Sequence, residues 1–279
     1  MRMALGVSYN GQGYNGWQSQ SSGRTIQDHL EAALGRFATQ PVSTICAGRT
    51  DAGVHGLMQV VHFDTPLDRT PFSWVRGTNT FLPADIAVQW AHPVPETFHA
   101  RFCATSRRYA YVLLQSPVRP SVDSARVGWV FHPLDGNAMR EAAAHLLGEH
   151  DFTSFRASAC QAKSPIKTLQ RITITRRGPA EGDAGPPANA PPHDWQPCYW
   201  RFEFEGNAFL HHMIRNIMGC LVAIGQGNQP AGWMQEVLLA RSRDAAAPTF
   251  SPDGLYFQGP LYDAAWGLPL RTAAYDWLP

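Results

Sequence analysis

The stretch CAGRTDAGVHG, Cys46 to Gly56, sets a guanidinium and a carboxylate, Arg49 and Asp51, in one turn punctuated by Gly48 and Gly53. The apolar runs VSTIC before it and LMQVVHF after it predict two strands, about 42–64, that hold the turn in place. A carboxylate beside an Arg stays ionised at neutral pH, because the opposite charge favours its charged form. Oriented and kept from water, such an Asp serves as a nucleophile or a base. A surface turn with an incidental ion pair accounts for the same residues, and the motif alone leaves both readings open.

Arg215 adds weight to the first. It lies between Ile214 and Asn216 in NAFLHHMIRNIMGCLVAIGQG, which reads as a helix over about 208–225, apolar on nearly every side. A guanidinium there must reach water or meet a carboxylate, since an unpaired buried charge is very costly. Asp51 is one candidate partner and a structural Glu is another. Tyr109 and Tyr111 share a face of SRRYAYVLLQ with Arg107 and Leu113. Such tyrosines fit half-buried packing, and they equally fit a ring stacked on an unstacked nucleobase, with Arg107 and Arg108 directed at phosphates. The loop YNGQGYNGWQSQ faces a substrate or simply joins a strand to a helix.

Other chemistries lack their signatures. The chain has no G-x-x-x-x-G-K-[ST] phosphate loop, no G-x-G-x-x-G after the first strand, no G-x-S-x-G elbow and no H-E-x-x-H pair. On a helix the adjacent His211 and His212 would point about 100° apart, poorly placed to share one ion. His55 and His62 have no acidic partner at a familiar spacing, so no metal is expected. The five cysteines are odd in number and scattered without a C-x-x-C pair, as free thiols in a reducing compartment would be. MRMALGVSYNGQG turns polar too early for a signal peptide and no apolar stretch spans a bilayer, so a cytoplasmic protein is expected.

The elements that must position these residues are legible in part. RMALGVSY reads as a buried strand, and Thr25 caps an amphipathic helix carrying Ile26, Leu30, Ala33, Leu34 and Phe37 on one face. DIAVQWAHPV, LQRITITRRG, YWRFEFEG and GLYFQGPLY read as further strands, with Trp200, Phe202 and Phe204 inward. FSWVRGTNTFL, GNAMREAAAHLLG and PAGWMQEVLLA read as helices. PAEGDAGPPANAPPHDWQP, within about 178–197, has no apolar periodicity and reads as a loop or insertion. The order is not strict β–α alternation, so the expected class is α+β, with mixed or mainly antiparallel sheets and helices packed on one face. The division falls near residue 100, giving an N-terminal half, 1–100, that carries the Asp loop and a C-terminal half, 101–279.

At 279 residues, 44% hydrophobic and 16% charged, the chain can bury a proper core. A net charge of +1 argues against a heavily basic binder and leaves room for a local basic cleft. Lys occurs only at positions 163 and 167, so Arg carries nearly all the positive charge; that suits phosphate recognition, and base composition of a genome produces it too.

CAGRTDAGVHG, HARFCATSRRYAYVLL, GEHDFTSFRA, NAFLHHMIRNIMG and GLYFQGP, in this order and spacing, resemble the tRNA pseudouridine synthase A family over about residues 4–270. The Pro/Ala-rich segment near 178–197 is longer than the connection usual in that family. The resemblance implies two related halves with an RNA-binding cleft between them, and a homodimer that uses no metal and no organic cofactor. It implies isomerisation of uridine to pseudouridine in the anticodon stem-loop of tRNAs, at tRNA positions 38, 39 and 40. It implies Asp51 as the catalytic carboxylate, Arg49 engaging the flipped nucleotide, Tyr109 stacking on the base, Arg215 keeping Asp51 ionised and Leu255 walling the pocket. A binding module of the same fold without activity and a metal-free hydrolase are the rival readings.

Overall fold

Met3, Leu5 and Val7 alternate with Ala4 and Gly6 along the first strand, so the two faces of one sheet are written into five residues. The structure is a computed structural model that describes residues 1–178 and 197–269; the greater part of the Pro/Ala-rich segment lies outside the described residues. In chain order the elements are β1 (Arg2–Tyr9), α1 (Ile26–Ala38), β2 (Ile45–Cys46), β3 (His55–Asp64), α2 (Pro71–Asn79), β4 (Ile86–Val94) and β5 (Ala104–Gln115). There follow β6 (Gly128–Val130), α3 (Gly136–Ala144), β7 (Gly148–Asp151), β8 (Ile166–Arg177), β9 (Cys198–Gly206), α4 (Met213–Gly225), α5 (Trp233–Ala240) and β10 (Leu255–Tyr262). This is a mixed α+β fold. The chain divides into one unit of residues 1–108 with 256–269 and a second of residues 109–255.

In the first unit the strands run in the order β4-β1-β3-β10. β1 is antiparallel to both neighbours, pairing Leu5 with Val61 of β3 and with Ala91 of β4, and β10 runs parallel to β3. Thr25 caps α1 by accepting the Asp28 N–H, and Ile26, Leu30, Leu34 and Ala38 then bury against Met3, Leu5, Val7 and Phe63. α2 opens with Pro71 in its first turn, after the Thr70 cap, and adds Trp74 to the same core. The opposite sheet face packs Ala4, Met58, Val60 and Trp90 against Phe98 and Tyr262. β2 is only two residues long, far shorter than the apolar run before the turn implies. Its extension is lost because the Thr44 N–H and hydroxyl donate to Glu31 Oε1 at 2.7 and 2.9 Å instead of joining a ladder.

In the second unit β5, β9, β8 and β7 lie side by side, with β6 parallel to β5. β9 alternates as its sequence predicts, Trp200, Phe202 and Phe204 buried and Arg201, Glu203 and Glu205 half-buried on the other face. From Tyr109 to Gln115 β5 is buried at every residue, so the tyrosines sit in a central strand rather than on a half-wet one. α4 starts at Met213, five residues later than its apolar pattern suggests. His212 precedes it with a left-handed φ of 62°, which breaks the helix there, and the His211 and His212 rings lie 4.0 Å apart rather than diverging on a helix surface. Among the described residues no helix is long and apolar enough to cross a membrane.

One buried group gives the first unit a pH dependence. His62 is 2% exposed and accepts the Ala100 N–H at Nδ1 (3.1 Å), with the His99 ring 4.9 Å away. Burial, with the charges of Arg2 and His99, pushes its pKa down to about 4. The unfolded imidazole titrates near 6.5. Between those values the unfolded chain holds a proton that the native chain does not, so stability falls as pH drops through this window. The Asp64 carboxyl, held low by its hydrogen bond with Arg2, acts below that window. Thermal melts therefore show a lower Tm at pH 5 than at pH 7, and His62→Gln, whose amide oxygen accepts the same N–H, removes most of the difference. A wild-type melt that is flat across that range would show that His62 is not held neutral.

Candidate functional site

Beyond Cys46 the chain leaves the sheet, and each backbone group of the turn needs a new partner. Ala47 still donates to Val60 O at 2.8 Å. The next residue is held by a side chain. Gln59 of β3, fully buried, accepts the Gly48 N–H at Oε1 (3.4 Å) and donates from Nε2 to Gly48 O, standing in for a missing strand. Thr50 is buried and its Oγ1 shares a 2.8 Å hydrogen bond with the Tyr9 hydroxyl, while Thr50 O accepts from Trp17 N at 3.0 Å. Val54 N donates to Asp51 O at 3.1 Å, which closes a turn whose third residue, Gly53, has φ 80°. Asp51 is half-buried at the head of that turn.

The β1–α1 connector packs against this turn through its glycine backbone. A Cβ on Gly16, which has φ 85°, would lie 2.6 Å from Thr50 O, and one on Gly11 would lie 2.0 Å from Val54 O. Gly11 N also donates to His55 Nδ1 at 3.1 Å, and the His55 ring stacks on Tyr256 at 4.7 Å. The loop that reads from sequence as substrate-facing or as a connector therefore supports the Asp51 turn from one side.

Arg49 is exposed beside the turn. Burial raises the Cys46 thiol to about 11, and the Arg49 guanidinium only partly opposes the rise. The one thiol in the motif is thus protonated and a poor nucleophile at neutral pH. Arg107 donates to the carbonyls of Ala47 and Ala104, each at 3.3 Å, and to that of Arg101. Its guanidinium ties the entrance of the turn to the start of β5. Arg108 is half-buried at the same end of the strand.

The second unit gathers the other named residues around the segment 249–255. Tyr109, 8% exposed, meets Phe209 edge-on at 5.0 Å. Arg215 donates from Nε to Phe250 O at 2.9 Å, and Phe250 N returns a bond to Arg215 O at 3.1 Å. Next along α4, fully buried Asn216 donates to Phe155 O at 2.8 Å and accepts from the Thr249 hydroxyl at 2.7 Å. Tyr111 donates to Ser251 O at 2.9 Å, and Gly254 O accepts from Val112 N at 2.8 Å, so the segment runs along β5. Leu255, 5% exposed, closes the turn that begins at Pro252. Tyr111, Arg215 and Leu255 are therefore held by one shared strip of backbone, while Tyr109 packs on Phe209. Gln59 and Tyr9, the residues that hold the Asp51 turn, were missed in sequence. The signal was there: Gln59 is the one amide in an apolar strand and must find partners there.

A family model described as tRNA pseudouridine synthase matches residues 6–103 and 142–263, which contain the turn, α4 and the strip 249–255. The chain belongs to the tRNA pseudouridine synthase family. It is 79% identical to the tRNA pseudouridine synthase A of Acidovorax ebreus over 279 residues, the whole of both chains. It is 79% identical to that of Paracidovorax citrulli and 76% identical to that of Delftia acidovorans, each alignment again covering both chains fully. For a synthase of this family the clamp on Gly48 makes a sharp expectation. Gln59→Leu keeps the volume and removes both bonds, destabilising the fold by roughly 1–3 kcal/mol. Because the carboxylate three residues on loses its register, kcat falls at least about tenfold while KM stays within about twofold. Turnover of tRNA, measured with a thermal melt, checks both; an unchanged kcat would show that the turn holds itself.

Proposed function

We propose that Asp51 is the nucleophile of this synthase and that its target uridines lie in the anticodon stem-loop of tRNAs, at tRNA positions 38, 39 and 40. The enzyme converts uridine to pseudouridine in tRNA. The bond from C1′ to N1 breaks, the uracil turns, and a bond from C1′ to C5 forms. N1 gains a proton and C5 loses one, so the product is an isomer and the reaction needs no redox partner. What carries the assignment is the turn itself. Its carboxylate is oriented by a backbone that Gln59, Thr50 and two glycines hold, and its neighbouring thiol is silenced by burial.

Attack at C1′, addition to C6 and removal of the C2′ proton are all within the reach of a carboxylate of this kind. In this reading Arg215 keeps Asp51 ionised, Tyr109 stacks on the extruded base and relays a proton at C5, and Leu255 keeps water from the intermediate. Arg49 engages the flipped nucleotide, Arg107 and Arg108 lie toward its phosphates, and the enzyme works as a homodimer. The half-buried Asp51 and the buried Tyr109 and Leu255 support these roles, since each is a group whose chemistry depends on restricted water.

Unmodified tRNA carrying tritium at C5 of uridine tests the reading. Wild type releases tritium from the anticodon arm, and Asp51→Ala lowers the rate by at least about a thousandfold with tRNA binding retained. Arg215→Met in the Asp51→Ala background adds little further loss if the two act together. Release outside that arm would overturn the substrate positions. Full release by Asp51→Ala would remove the nucleophile, and free uracil as product would mean hydrolysis instead.

A further inference from the structure

Val54 ends the Asp51 turn and His55 opens β3, so a polar ring stands where the turn rejoins the sheet. His55 is 3% exposed and accepts the Gly11 N–H at Nδ1 (3.1 Å). A backbone amide is always a donor, so Nδ1 carries no proton. The imidazole is therefore neutral, with its one proton on Nε2.

Two contacts meet on this ring. The first is with Gly11, which is buried and pressed against the last residue of the turn: a Cβ on it would lie 2.0 Å from Val54 O. The residue before it, Asn10, donates its N–H to Asp85 O at 2.9 Å and so fixes the connector to the residue that precedes β4. The second contact is with Tyr256, on which the ring stacks with 4.7 Å between centroids and 24° between planes. Tyr256 is also the partner of His55 in the parallel ladder of β3 with β10, and it follows Leu255 directly in the chain. His55 thus joins the exit of the Asp51 turn to the strand that Leu255 opens.

Packing alone does not ask for a histidine here. A phenylalanine would fill the place and stack on Tyr256 as well, but it would leave the buried Gly11 N–H without an acceptor, which native backbones avoid. A protonated imidazole fails in the same way, since both of its nitrogens donate. An acceptor in the plane of a stacked ring is what neutral histidine supplies. Gln59 holds the turn at its entry through Gly48, His55 holds it at its exit, and Asp51 stands between them. A carboxylate keeps its place only when both ends of its turn are held.

We propose that His55 is a positioning residue for the reaction: as the neutral Nε2–H tautomer, bound to Gly11 and stacked on Tyr256, it keeps the Asp51 carboxylate in register. The proposal rests on Asp51 as the reacting group. The imidazole acts through the backbone of the turn and not on the nucleotide.

Two substitutions separate the acceptor from the ring. His55→Asn places Oδ1 where Nδ1 stood and drops the ring, whereas His55→Phe keeps the ring and drops the acceptor. Measured by tritium release from tRNA, His55→Phe lowers kcat at least about tenfold with KM within about twofold of wild type, and His55→Asn keeps kcat within about threefold. In the Asp51→Ala background His55→Phe adds no further loss, as for two residues that act as one. Long-range 1H–15N spectra of histidine-labelled wild type read the tautomer directly. The His55 signal is the one that His55→Asn removes, and at the pH of the assay it shows Nδ1 unprotonated and Nε2 protonated. A proton on Nδ1 would overturn the proposal. So would an unchanged kcat in His55→Phe, a loss carried by KM, or equal losses in the two variants. If a melt shows that His55→Phe does not fold, the spectrum and the rate of His55→Asn decide. Full release by Asp51→Ala would remove the nucleophile and the proposal with it; an inactive Asp51→Ala beside a fully active His55→Phe would remove the proposal alone.

Discussion

Two hydrogen bonds from a buried amide decide where the carboxylate stands. β2 ends at Cys46, so the residues before Asp51 have no ladder, and an unpaired backbone group in a half-buried turn costs roughly 1–3 kcal/mol. Gln59 supplies both partners of Gly48 from inside β3. The position of the turn is thereby referred to the most buried strand of the first unit rather than to solvent. From the other side Gly11 and Gly16 let the connector lie against the turn backbone, where any side chain would collide. Thr50, bound to Tyr9 of β1, adds a third anchor. Displacements of about 1 Å cost large factors in rate, so the role proposed for Asp51 requires this degree of restraint.

The second unit meets the opposite difficulty, a polar demand inside an apolar helix. α4 is buried at nearly every position, and Arg215 and Asn216 interrupt it. Both are used to hold the same stretch of chain. Arg215 exchanges bonds with Phe250, and Asn216 takes the Thr249 hydroxyl and the Arg243 guanidinium. The helix thus fixes an irregular segment that would otherwise have few partners, and Leu255 emerges from it at the start of β10. Gly219 permits this close approach, since a Cβ there would lie 2.2 Å from Pro248 O.

How far the fold was legible depends on where its information is local. β1, α1 and β9 were readable because period, cap and burial agree within each segment. α4 was readable as apolar but not in its start, because the left-handed turn at His212 is imposed by neighbours and has no glycine to announce it. The short β2 was hidden for a similar reason: Thr44 is captured by Glu31, thirteen residues earlier. β6 and β7 are too short to carry a period. At the site, Arg49 and Asp51 stood out because charge in a glycine turn is locally odd, whereas Gln59 is ordinary until its strand is known to be buried.

Arginine illustrates why composition alone said little about RNA. Much of the Arg in this chain is structural: Arg156 binds the carbonyls of Cys160 and Ala162, and Arg140 that of Ile174. A guanidinium has five donors, so it can satisfy irregular backbone that no ladder reaches. Such residues add to the net charge without offering a surface to a polyanion. A count of arginines therefore overstates the capacity for phosphate, and a net charge of +1 understates it. What distinguishes a phosphate-binding Arg is that it is exposed, rigid and free of nearby carboxylates. Arg36 and Arg76 are exposed over phenylalanine rings, whereas Arg69, which also lies over a ring, is spent on the Phe37 carbonyl, so even neighbouring arginines differ in what they leave to a partner.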